Sequence, residues 1–173
     1  MADSPTVSLT AATPADATLL SNLLELYIHD LSTIFAQVEL GEDGRFGYPK
    51  LALYWSEPTQ RFAFLIRCGG RLAGFALVTR GSPAATDPNV LDVAEFFVLR
   101  RYRRAGVGRQ AAFLLWRALP GDWTVRVAES NPAALEFWTS AVTAFSAGAA
   151  RESQRQGSAL AWRVFRFATG PDA

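Results

Sequence analysis

The chain has 173 residues, of which 50% are hydrophobic and 19% charged, and its 17 basic and 16 acidic side chains leave a formal net charge of +1. This length suits one domain over residues 1–173, and the low charged fraction points to a sheet-centred apolar interior or to a buried face in a homodimer. Near-neutrality argues against a nucleic-acid partner, because such domains carry a marked basic excess on one face.

Residues 1–5 are polar and expected to be loosely held. Val7, Leu9 and Ala11 alternate with Ser8 and Thr10, the period of a strand with one buried face. Thr13 then stands as a helix cap, with Pro14 at the first helical position and Asp16 three residues after the cap. Leu19, Leu20, Leu23, Leu24, Tyr27, Leu31 and Phe35 recur at helical intervals, which predicts a long amphipathic helix. From Gln37 to Pro58, Gly41, Gly44, Gly47 and Pro49 predict a loop, followed by a short second helix over the apolar run Leu51–Trp55.

Arg61–Arg67 and Arg71–Arg80 are β-rich runs on either side of Gly69-Gly70, a two-residue hairpin signal. A Ser/Pro/Asp loop from Gly81 to Asn89 leads into Val90–Leu99, apolar enough for a strand covered on both faces and containing Asp92 and Glu95. A helix from Val107 to Leu119 follows, then a break at Pro120-Gly121-Asp122 and a fifth strand at Trp123–Ala128. Asn131 caps a further helix with Pro132 in first position. Phe145–Ala168, polar in its middle and apolar over Ala159–Phe167, reads as a closing hairpin.

The chemistry concentrates in EFFVLRRYRRAGVGRQAAFLLWRA, Glu95 to Ala118. Sixteen of the 17 basic residues are arginine, and five of them fall between Arg100 and Arg109, a concentration suited to an anion with several phosphates. Arg103, Gly106 and Gly108 give R-x-x-G-x-G immediately before the predicted helix. A helix start leaves four backbone N–H groups without intrahelical partners and carries the positive end of the macrodipole, so a glycine-rich turn ahead of it can wrap those donors around a diphosphate. No lysine followed by Ser or Thr trails the glycines, which excludes the nucleoside triphosphate loop. Gly106, Gly108 and Ala111 also fit the G-x-G-x-x-A of dinucleotide folds, with Glu129 about twenty residues on where a ribose-binding acid belongs. Against that reading, Arg100 to Ala105 separate the glycines from the strand, and the unit sits mid-chain.

Cys68 and His29 are the single cysteine and histidine. They leave no intrachain disulfide and no cysteine-based metal cluster, and no G-x-S-x-G elbow supports a Ser-His-Asp hydrolase. No apolar run approaches the roughly eighteen residues of a membrane span, and no basic-then-apolar leader opens the chain. A cytoplasmic location without a membrane partner is expected.

The strand ending in Val98, the x-x-x-Y-R-x-x-G-V-G pattern through Gly108 and the helix behind it resemble the acetyl-CoA loop of the GNAT N-acetyltransferase superfamily. The run N-P-A-A-L-E-F-W from Asn131 resembles the family's N-x-x-A-x-x-F-Y. The resemblance is specific over Leu91 to Val142, with Arg100 where many members have proline and Trp138 where the tyrosine belongs. It implies an α/β (α+β) fold with a central mixed, mostly antiparallel sheet flanked by helices, in the order strand, two helices, three strands, helix, strand, helix, two strands. It also implies acetyl-CoA as cosubstrate, no metal, and acetyl transfer to a primary amine of a small molecule or peptide.

By the same resemblance, backbone groups near Val98 and Leu99 pair with the pantetheine arm, and the Val98 N–H polarises the thioester carbonyl. The turn with Arg103, Arg104, Gly106, Val107 and Gly108 holds the diphosphate, and Asn131 and Phe137 match the family's second motif. The family's first two helices wall the acceptor site, which makes Tyr27 and Asp30 candidates, with Phe46, Tyr48 and Trp55 beside them. Glu95 is the candidate base, since desolvation in an apolar strand raises a carboxylate's pKa; an ion pair with a nearby arginine is the opposing reading and would lower it. Trp138 cannot donate a proton to the departing thiolate, which leaves Tyr102, water or an unaided thiolate. A noncatalytic acyl-CoA sensor stays open as an alternative, and a dinucleotide-binding protein as a third.

Overall fold

A computed structural model describes residues 5–157 and 159–170, so residues 1–4 of the polar N-terminal segment lie outside the described residues. Among the described residues seven strands build one sheet: β1 (Val7–Ala11), β2 (Arg61–Cys68), β3 (Arg71–Arg80), β4 (Leu91–Val98), β5 (Gly121–Ala128), β6 (Arg151–Gln156) and β7 (Ala161–Thr169). Their spatial order is β1-β2-β3-β4-β5-β7-β6, antiparallel throughout except where β4 lies parallel to β5. Four α-helices, α1 (Ala17–Ser32), α2 (Leu53–Ser56), α3 (Val107–Ala118) and α4 (Pro132–Phe145), fall between them in the predicted chain order.

Local chemistry accounts for most of the boundaries. Thr13 donates to Asp16 Oδ2 from its backbone N–H at 2.9 Å and its hydroxyl at 3.0 Å, which seeds a 3-10 turn ahead of α1. The helix stops at Ser32, short of the predicted Phe35. Ser32 and Thr33 turn their hydroxyls back onto the carbonyls of His29 and Asp30, occupying acceptors that the next turn requires. Gly121, predicted as part of a break, opens β5 instead, its N–H bonded to Thr169 Oγ1. Along β1, Val7 is buried, but Ala11 at the strand end is exposed. The Gly69-Gly70 hairpin has positive φ at both positions, as its two-residue turn demands.

The central strands are covered on both faces. Phe75 and Leu77 of β3 pack with Leu20, Leu23 and Leu24 of α1, while Ala76 and Val78 join the opposite cluster around Leu115 and Trp116 of α3. Strand β6 ends the sheet with every residue exposed, and its arginines and glutamate keep that open edge from pairing with other chains. Among the described residues no helix is long and apolar enough to cross a membrane.

Two irregularities in β4 position the site. Its register on β3 runs from Val93 opposite Val78 directly to Glu95 opposite Leu77, so Ala94 is a bulge. Strict alternation from Leu91 and Val93 would aim Glu95 at α3 and α4; the extra residue turns it to the α1 face with Phe97. The second irregularity is a divergence. β4 pairs with β5 only from Leu91 to Val93, and beyond the bulge its outer edge is free.

Candidate active site

The divergence opens a cleft of about 560 Å³ between β4, α1 and the starts of α3 and α4. Val98 lies on its floor. Leu99 N–H is bonded to Ala73 C=O on β3, and antiparallel alternation therefore sends the Val98 N–H to the other edge, where β5 has moved away. The Leu99 N–H is thus taken by β3, and its carbonyl accepts from Tyr102 N–H at 2.9 Å.

The arginine-rich turn forms the cleft's open end. Arg103 is held internally: its Nε donates to Val98 C=O at 2.7 Å and its Nη2 to Asp30 Oδ2 at 2.7 Å. Arg100 Nη2 donates to Asp30 Oδ1 at 2.6 Å, so Asp30 clamps α1 to the turn. Burial alone would raise the Asp30 carboxyl, but hydrogen bonds from Arg100 and Arg103 and their charges hold it below its ordinary value. Arg104 and Arg109 line the cleft and form no ion pair among the described residues.

Arg104 and Gly106 both adopt left-handed backbone, φ 61° and 77°. Gly106 is the N-cap of α3, and the first bond into the helix is Gln110 N–H to Gly106 C=O at 3.0 Å. The amides ahead of it lack intrahelical partners. Gly108 is small for a different reason: a Cβ there would stand 3.1 Å from Phe137 Cε2. Val107, by contrast, is buried beneath the turn with Ala111, so only its backbone bears on the cleft. A free N–H on the strand edge, a ring of amides at a helix start and, among the described residues, two guanidinium groups outside any ion pair make a donor set suited to an extended polar arm ending in a diphosphate.

Helix α4 closes the far wall. Asn131 caps it by accepting from Ala134 N–H at 3.1 Å, and Asn131, Phe137 and Trp138 line the cleft. Trp138 is packed edge-on against Phe96, with ring centroids 5.0 Å apart. No hydroxyl stands at this position, and Tyr102 lies outside the cleft lining, packed with the Val7 and Ile66 cluster.

On the α1 face, Glu95 accepts hydrogen bonds from Tyr27 Oη at 2.8 Å and Tyr48 Oη at 3.0 Å. Among the described residues it forms no ion pair with an arginine. Burial pushes its carboxyl above the ordinary value, although the two hydroxyls and the charges of Arg126 and Lys50 pull the other way. Burial, reinforced by Glu95, likewise raises the Tyr27 phenol well above its ordinary value, so it stays a donor. Tyr27 lines the cleft, with Glu95 directly behind its hydroxyl.

Tyr48 reaches this position because Glu25 pins its loop, accepting from Phe46 N–H at 2.7 Å, Gly47 N–H at 3.1 Å and Arg45 Nε at 3.2 Å. Phe46 and His29 have ring centroids 6.1 Å apart, and Trp55 packs against the α1 core. The pairing of Tyr27 and Tyr48 on one carboxylate had no sequence signal beyond their location in the first-helix region. Glu129, the ribose-binding candidate of the dinucleotide reading, is instead held by Gln154 Nε2 and Arg163 beside β6 and β7, outside the cleft lining.

The family model described as "Acetyltransferase (GNAT) family" matches residues 23–141. No curated protein matches the chain. Among solved structures, an acetyltransferase from Thermus thermophilus is similar at 22% identity and TM-score 0.63, over 94% of this chain and 97% of that one. The protein yncA of Salmonella typhimurium, solved with its cofactor acetyl-CoA, is similar at 14% identity and TM-score 0.61, over 96% and 98%. Spermidine N-acetyltransferase from Vibrio cholerae, in complex with CoA and spermine, is similar at 12% identity and TM-score 0.64, over 94% and 95%.

Proposed function

Because the chain belongs to the GNAT acetyltransferase family, we propose that it is an acetyl-CoA-dependent N-acetyltransferase acting on a primary amine. The observation that carries this reading is the free edge of β4 joined by the arginine-rich turn to the amide-lined start of α3, with Glu95 on the adjoining face. Fold relatives that hold acetyl-CoA, or CoA with spermine, support the same pairing of cosubstrate and amine.

Acetyl-CoA supplies an acetyl group on a thioester. In this reading Gly106, Val107, Gly108, Arg104 and Arg109 bind the diphosphate, and Asn131 and Phe137 flank the arm. Arg103 and Asp30 hold the turn in register with β4 and α1. The Val98 N–H lies where it can stabilise negative charge developing on the acetyl oxygen.

An alkylammonium must lose its proton before its nitrogen can bond to the acetyl carbon. Glu95, raised by burial, takes that proton by way of the Tyr27 hydroxyl or an intervening water. As the C–N bond forms the C–S bond breaks, and the thiolate leaves unaided or takes its proton from water, because Trp138 has none to give. The missing hydroxyl also sustains a second reading, a noncatalytic acyl-CoA-binding module.

A melt with acetyl-CoA and NAD, followed by free-thiol release against an amine panel, tests both. Acetyl-CoA at about 100 times its dissociation constant is expected to stabilise the fold by about 2.7 kcal/mol, and NAD not at all. Stabilisation by NAD alone refutes the reading; stabilisation by acetyl-CoA without thiol release from any amine establishes the binding module.

A further inference from the structure

Resting on the transferase reading above, we propose that the acceptor is a monoamine whose amine is carried by an apolar or aromatic group, and that polycationic amines are poor acceptors. The α1 side of the cleft is formed by Tyr27, Leu31 and Ile34, with Phe97 on the strand beneath. Apart from the Tyr27 hydroxyl, which already donates to Glu95, and the Asp30 carboxylate, which Arg100 and Arg103 hold, that wall offers hydrocarbon and aromatic surface. It suits the body of an apolar substituent and gives no partner to a second ammonium.

The carboxylates around the wall are committed. Asp30, the one acid lining the cleft among the described residues, is held between Arg100 and Arg103. Glu25 is taken by Arg45 and two loop amides, and Asp92 by Arg126. Glu39, Glu42 and Asp43 are exposed on the loop and lie outside the cleft lining. Glu95 remains: it does not line the cleft itself but stands directly behind the Tyr27 hydroxyl that does, and its hydrogen-bond partners are two neutral hydroxyls. One carboxylate receives one ammonium. A polyamine or aminoglycoside that placed its reacting nitrogen beside Glu95 would set its next cation against Leu31, Ile34 or the guanidinium groups bound to Asp30. That cation would be desolvated without a counter-charge.

The test measures free-thiol release by the full chain at saturating acetyl-CoA with 2-phenylethylamine, spermine and kanamycin. The expected kcat/KM for 2-phenylethylamine exceeds that for either polycation at least about tenfold. Equal or better turnover of spermine or kanamycin overturns the proposal. Ile34→Glu adds a carboxylate to the wall and is expected to shift the ratio toward spermine by about tenfold; a ratio that does not move overturns the claim that this wall sets selection. Should no amine release thiol, the transferase reading fails, and melting of the CoA-loaded chain decides the inference by itself. Added stabilisation by 2-phenylethylamine but not spermine supports it, and the reverse overturns it.

Discussion

Replacing Glu95 with glutamine keeps the side chain's size and removes its charge. In the native site each carboxylate oxygen receives one tyrosine hydroxyl, from Tyr27 at 2.8 Å and Tyr48 at 3.0 Å. Glutamine has a single acceptor oxygen, so one hydroxyl must reorient toward the amide. A hydrogen bond to a charged group contributes about 1.5–3 kcal/mol, which bounds the loss from above, and release from burying a charge opposes it. A net loss below about 3 kcal/mol corresponds to a fall in Tm of no more than about 6–12 °C for a chain of this size. Loss of a general base slows turnover about 100- to 10,000-fold. At about 1.36 kcal/mol per decade, that is about 2.7–5.4 kcal/mol of barrier.

The pH dependence separates the two effects. Burial raises the folded carboxyl above 4.5, so between 4.5 and its folded value the native state binds more protons than the unfolded chain. Wild-type stability therefore falls as pH rises through that window, and the stability difference in favour of wild type over Glu95→Gln shrinks with it. The same ionisation gives wild-type kcat/KM an acid limb centred above 4.5, which the variant lacks. The residual rate of the variant climbs at high pH as the amine loses its own proton. Thiol release across a pH series, with melts at each pH, reads both. Wild-type turnover with an intact acid limb in Glu95→Gln refutes the base assignment; a large fall in Tm with normal turnover of the folded fraction makes Glu95 structural.

Tyr27→Phe removes a hydroxyl that lowers the Glu95 carboxyl, so the acid limb of kcat/KM should move to higher pH; a stationary limb removes Tyr27 from the proton path. Gly108→Ala places a Cβ 3.1 Å from Phe137 and should weaken acetyl-CoA binding about 3- to 10-fold by calorimetry, with partial recovery in Gly108→Ala/Phe137→Leu. Additive losses in the double variant would mean the two positions do not communicate. Trp138→Tyr should release thiol faster than Trp138→Phe, because both leave a similar gap beside Phe96 and only one restores a proton donor. Equal rates show that the thiolate leaves without help. Asp92→Ala strands Ser82, Thr124 and Arg126 around a fully buried position and should cost about 3–5 kcal/mol, a fall in Tm of roughly 6–20 °C by calorimetry, without altering acetyl-CoA affinity in the folded fraction.

The features legible in the sequence are those whose causes lie within a few residues. Gly69-Gly70 demands its hairpin by backbone conformation, Asn131 and Pro132 start α4 by cap chemistry, and R-x-x-G-x-G marks the entrance to α3 because turn and helix start are contiguous. The element order followed from such signals, together with the family pattern from Leu91 to Val142. Even local reading failed at Phe35, since the helical period continued past Ser32 and Thr33, whose hydroxyls capture the carbonyls needed to extend α1. What only the tertiary structure decided are relations between distant segments. The bulge at Ala94 exists in the pairing of β4 with β3, and it turned Glu95 from the α3 face to the α1 face. Tyr27 and Tyr48 reach Glu95 across 68 and 47 residues of chain. Asp30 took Arg100 and Arg103 from among 16 arginines, and Glu95 took none, because side-chain pairing is set by which elements the sheet brings together rather than by spacing along the chain.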